Sequence, residues 1–72
     1  MEFDHSKLNG RIVEKYGSRA AFAEAAGMKQ GQLSRRLNNQ TPLSDAEIYT
    51  FCRMLGIPGA KVDVYFFTPK VR

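Results

Sequence analysis

Gln30, Gln32 and Arg35 end in flat forks of hydrogen-bonding groups, and the hydroxyl of Ser34 between them both donates and accepts. A glutamine amide can bond the edge of adenine twice, and a guanidinium can do the same with guanine. Leu33 and Leu37, one helical turn apart, supply an apolar side facing the other way. A helix over about Gln30–Asn38 would be anchored by the two leucines. It would present Gln30, Gly31, Gln32, Ser34 and Arg35 outward, with small residues at its start so that its first turn can approach a partner closely. This is the chemistry of recognition and not of bond-making.

The residues before this segment predict how it is held. Ser18 to Leu37, SRAAFAEAAGMKQGQLSRRL, reads as two short helices separated by a tight turn at Ala26-Gly27-Met28. Ser18 is an N-cap, Phe22, Ala25 and Ala26 are expected to face inward, and Gly27 suits a left-handed residue just past a helix end. Met28 is expected in the core. Two helices at this spacing form a helix-turn-helix, whose second helix fits the major groove of DNA.

The remaining elements follow from apolar spacing. A first helix is predicted over about Ser6–Tyr16, with Asp4 or Ser6 as cap, Leu8, Ile12, Val13 and Tyr16 as the inner stripe and Gly17 as the stop. Asn38-Asn39 ends the recognition helix, because Asn tolerates the left-handed conformation. Ser44 and Glu47 form a capping box, Leu43 and Ile48 a hydrophobic staple, and Ile48, Phe51, Cys52 and Leu55 an inner stripe that Gly56 ends. A short fifth helix is predicted over about Pro58–Phe66, with an extended tail from Thr68-Pro69. The helical choice for KVDVYFFTPKVR rests on the lack of a second strand signal. The expected fold is all-α, five short helices around a helix-turn-helix, in one domain spanning residues 1–72.

Charge supports the same partner. The 72-residue chain carries +4 overall. Residues 18–41 hold four cations, Arg19, Lys29, Arg35 and Arg36, against the single acid Glu24. A local basic patch is the footprint expected for a phosphate backbone. Arg19, Lys29 and Arg36, with the polar loop Asn38, Asn39, Gln40 and Thr41, are the candidate phosphate contacts. Gln30, Gly31, Gln32, Ser34 and Arg35 are the candidate base contacts.

The pattern Gly27-Met28-x-Gln30-x-x-Leu33-Ser34-x-x-Leu37-Asn38, preceded by Ala23 and Ser18, resembles the helix-turn-helix of phage repressor and Cro proteins of the lambda-repressor-like type. The resemblance covers about residues 6–66. It implies a transcriptional repressor of Cro type, phage or prophage derived, bound to a palindromic double-stranded operator. It places Gln30 at the start of the recognition helix, turns Gly31, Gln32 and Ser34 toward bases, and sets Arg19 on a phosphate where it supports Gln30. Two positions depart from the pattern. Arg36 stands where an apolar residue is usual, and Gly31 lacks a reading side chain, so readout there would use the thymine methyl or DNA shape.

Other classes find little support. There is no metal-ligand cluster, phosphate loop or nucleophile–base pair, so neither an enzyme nor a cofactor or small-molecule substrate is expected. No apolar run approaches the ~20 residues that span a bilayer. The N-terminus MEFDHSK has no secretory character. Cys52 alone forms no intrachain disulfide, which fits a reducing bacterial or phage-infected cytoplasm. Cys52 is expected on an inner helix face and His5 on the surface. Tyr65, Phe66 and Phe67 cannot all face one side of a short helix, so a homodimer through this segment is expected. Rival functions are an antitoxin-type autoregulator and a protein-interaction module using the same helical hairpin.

Overall fold

Ser18 and Ser44 start two of the helices in the same way. The Ser18 hydroxyl accepts from the N–H of Ala21 at 3.1 Å, and the Ser44 hydroxyl from that of Glu47 at 3.1 Å. Each satisfies a donor that the helix itself leaves open. The computed structural model describes residues 2–71. Its elements are α1 (Ser6–Tyr16), α2 (Arg19–Ala25), α3 (Gln30–Leu37), α4 (Asp45–Leu55) and α5 (Val62–Phe66), the last preceded by a 3₁₀ turn over Gly59–Lys61. The five helices and the fold class are as the sequence predicts.

α1 packs on α2, α4 and α5, and α2 packs on α3. Leu8 and Ile12 of α1, Phe22 of α2, Leu33 of α3, Phe51 and Leu55 of α4 and Phe66 of α5 are fully buried together. Phe22 lies at the centre, edge-on to Phe51 at 4.9 Å and to Tyr16 at 5.1 Å. Burying side chains of this size contributes about 1.5–3 kcal/mol each, the main force closing so small a chain.

Two inner-face assignments need correction. Val13 is exposed, because the stripe through Leu8 and Ile12 already faces α2 and α4. In α2 it is Ala23, with Phe22, that is buried, and Ala25 is exposed. The α2–α3 turn is tight. Gly27 takes φ 74°, a conformation few side chains tolerate, and the Met28 N–H donates to the Ala23 carbonyl at 2.8 Å. Met28 is half-buried against the core.

The ends of the chain meet, a contact that leaves little trace in the sequence. Asp4 N–H donates to the Thr68 carbonyl at 2.7 Å and Lys70 N–H to the Glu2 carbonyl at 3.1 Å, flanking an antiparallel bridge between Phe3 and Pro69. The extended tail thus finds a partner too short to show alternation. His5, expected on the surface, is buried beneath this clasp, and its Nδ1 donates to the Leu37 carbonyl at 3.0 Å. The N-cap of α1 is His5 and neither Asp4 nor Ser6, but the Asp4 carboxylate, one residue earlier, accepts from Ser6 N–H at 2.8 Å.

Candidate nucleic-acid interface

The tight turn brings α3 out along one side of the domain, fixed by buried Leu33 and Leu37. At 3.6 residues per turn, Gln30, Gly31, Ser34, Arg35 and Asn38 fall within one arc of about 140°. Gln30, Gly31, Arg35 and Asn38 are exposed and Ser34 is half-buried. Lys29, just before the helix, and Gln40, just after it, are exposed at the two ends of this arc. Lys29 and Arg35 form no ion pair among the described residues. Gly31 faces open space except for Arg35, whose Nη1 lies 3.6 Å from where a Cβ would stand.

Gln32 and Arg36 fall on the other arc, and both are engaged within the chain. The Gln32 Oε1 turns back to accept from the Lys29 N–H at 3.0 Å, closing the first turn of α3. The amide expected to read a base is thereby turned toward the helix start. The Arg36 Nε reaches α4 and donates to Glu47 Oε2 at 2.7 Å, while its Nη1 donates to the Gln32 carbonyl at 3.3 Å. Arg36 therefore fills its apolar position as half of a largely covered ion pair. Both side chains are thus held by intrachain partners and lie off the arc of Gln30 and Arg35.

Glu47 makes three hydrogen bonds, to two residues. It accepts from Ser44 N–H at 2.9 Å with Oε1 and from Arg36 with Oε2, and its own N–H donates to Ser44. Burial pushes its carboxyl up, but the Ser44 N–H and the Arg36 guanidinium outweigh that and hold it below its ordinary value of 4.5.

Asn39, too, is engaged within the chain. It takes φ 64° and points its side chain at the backbone of Phe3, accepting from Phe3 N–H at 3.1 Å and donating to the Phe3 carbonyl at 2.9 Å. The backbone N–H groups of Gln40 and Thr41 both donate to the Arg35 carbonyl, at 2.8 and 3.3 Å, which folds the loop back against the end of α3. Thr41 is half-buried there.

Arg19 sits at the start of α2, half-buried, with its Nε donating to Asn9 Oδ1 at 2.5 Å. It shares a shallow polar groove of about 410 Å³ with Ser6, Asn9, Asn38 and Lys70. The groove joins the start of α2 to the end of α3. Asn9 and Lys70 were not anticipated. A contact between residues 9 and 19 across two helices has no local sequence signal, and Lys70 reaches the groove only through the paired ends. Of the C-terminal aromatics, Phe66 is core and not interface. Tyr65 is half-buried, and Phe67 is partly exposed, edge-on to Phe3 at 5.4 Å.

Cys52 is half-buried, and burial pushes its thiol above the ordinary value of 9.0, so the thiolate is scarce at neutral pH. Among the described residues no group of three or more His, Cys, Asp and Glu is placed to hold a metal. No helix among them is long and apolar enough to cross a membrane.

The described residues form a small all-helical domain in which α3 follows α2 across a tight turn and exposes hydrogen-bonding side chains. The chain belongs to the family described as Protein of unknown function (DUF739), whose model matches residues 1–69. No curated protein matches it. Among solved structures it is similar to the modulator of repression of the temperate bacteriophage TP901-1 from Lactococcus lactis. The two share 35% identity and a TM-score of 0.83, over 100% of this chain and 97% of that one. The chain thus has the fold of a small phage regulator.

Proposed function

We propose that this protein is a phage regulator of repression that reads double-stranded DNA with the outer arc of α3. The observation that carries the proposal is the shared arc of Gln30, Gly31, Ser34 and Arg35 on the second helix of a tight helical pair, with Lys29 and Arg35 free of carboxylate partners. Gln30 and Arg35 supply forked hydrogen bonds to base edges, and Ser34 bonds either a base or a phosphate. Gly31 gives up helix propensity at an open, exposed position, which fits close approach to another surface. Lys29, Asn38 and Gln40 at the ends of the arc, and Arg19 held by Asn9, are the backbone contacts. The modulator of repression, at 35% identity, gives the regulatory setting.

A second reading puts a protein, such as a repressor, on the same arc. The small number of free cations favours it, since engagement of Arg36 by Glu47 leaves Arg35 on α3 and Lys29 just before it. Selection of bound sites from a random duplex pool separates the two. The DNA reading predicts an enriched sequence, with affinity lowered about 1–3 kcal/mol by Arg35→Ala. Equal loss on random DNA would make Arg35 a phosphate contact. No retention on any duplex at low salt would instead support the protein partner.

A further inference from the structure

The outer face of α4 carries the pattern Asp45, Tyr49, Arg53, each four residues from the next and all exposed. The three lie in a row along one side of the helix, acid at the start, ring in the middle, cation at the end. Tyr49 is 63% exposed, and Arg53 lies over its ring at 5.8 Å with Nη1 donating to the Tyr49 hydroxyl at 3.3 Å. Neither Asp45 nor Arg53 has an ion-pair partner of opposite charge among the described residues. Beside the row runs an apolar groove of about 540 Å³, where Ile48 and Cys52 of α4 meet Phe67, itself 45% exposed. Two of the large exposed apolar side chains of this domain therefore stand at one place, on a different element from the outer arc of α3.

We infer that this face binds a second copy of the same chain, with the two α4 helices antiparallel about Tyr49. The charge order decides the occupant. About a two-fold axis at Tyr49, Asp45 of each protomer meets Arg53 of the other, so both charge pairs form at once. A parallel arrangement would set like charges together. The same symmetry brings the two Tyr49 rings and the two Phe67-lined grooves against one another, covering apolar surface that a lone domain leaves in water. The surface keeps Phe67 of the expected dimer contact Tyr65, Phe66 and Phe67, leaves out the buried Phe66, and adds α4. The inference stands apart from the identity of the partner on α3, because it uses none of those residues.

The test is sedimentation equilibrium of the full chain over a range of concentrations. The mass is expected to rise from 8.1 kDa toward twice that value. Each of Asp45→Arg and Arg53→Asp strikes both symmetric pairs and is expected to weaken association about tenfold. The double reversal is expected to restore it, and Tyr49→Glu to abolish it. Circular dichroism checks that each variant is folded, since both reversals set charge against the dipole of α4. A wild-type mass that stays at 8.1 kDa at every concentration overturns the inference. So does association indifferent to the single reversals, or a double reversal that fails to recover what they lose.

Discussion

The Arg36 guanidinium donates to the Glu47 carboxylate at 2.7 Å, and through this pair α3 is tied to the start of α4. The same carboxylate closes the capping box with Ser44, so one acid orders the start of α4 and positions α3. Removing one half of a covered pair leaves the other unpaired, which costs more than the pair itself contributes. Glu47→Ala is expected to lower unfolding free energy by about 1–3 kcal/mol in urea titrations, and Arg36→Met by less, because methionine fills the same position without a charge. Because the pair holds α3 in place, both changes are expected to weaken DNA binding modestly even in protein that remains folded.

Glu47 also sets an acid limit on stability. Its folded-state carboxyl is held below its ordinary 4.5, so its contribution is fully present above that pH and is lost as pH falls through the lowered value. The stability difference between wild type and Glu47→Gln is expected to be constant above about pH 4.5 and to shrink below it. Thermal unfolding of both proteins across the acid range measures this. A difference that grows on acidification would contradict the assignment.

Asn39 joins the end of α3 to the N-terminal segment by two hydrogen bonds while holding a left-handed backbone. Asn39→Ala removes both bonds and adds strain at φ 64°, for an expected loss of about 1–3 kcal/mol. Asn39→Gly relieves the backbone strain alone and is expected to recover part of that loss. Hydrogen exchange at Phe3 and Asp4 is expected to quicken in both variants.

Gly31 separates stability from recognition. A methyl group there would meet only the end of the flexible Arg35 side chain, at 3.6 Å. Gly31→Ala is therefore expected to stabilise the domain by about 0.5–1 kcal/mol, by helix propensity. The same change is expected to weaken DNA binding or alter its sequence preference. Raised melting temperature with unchanged binding would show that nothing approaches α3 closely at this point.

Much of the fold is legible because its signals are local. Ser18, Gly27, Ser44 with Glu47 and Gly56 mark helix ends, and the apolar spacing of Leu8, Ile12, Leu33, Leu37, Phe51 and Leu55 marks inner faces. What escaped was fixed over long distances. His5, Phe3 and Thr68 are placed by the meeting of the chain ends, and Asn9 by Arg19 ten residues away. The site was legible as a segment but not as individual side chains. Gln32, Arg36 and Asn39 have the chemistry of DNA contacts, and only the fold shows that a backbone N–H, a carboxylate and the Phe3 backbone already engage them.

The most direct test of the α3 surface is amide chemical-shift mapping of the folded chain during titration with duplex DNA at low salt. The largest changes are expected across Lys29–Asn38, with Gln40 and the start of α2 at Arg19 following, while the α4 face from Asp45 to Arg53 stays still. Changes confined to that α4 face, or none at any residue, would contradict the assignment of α3 as the DNA-reading helix.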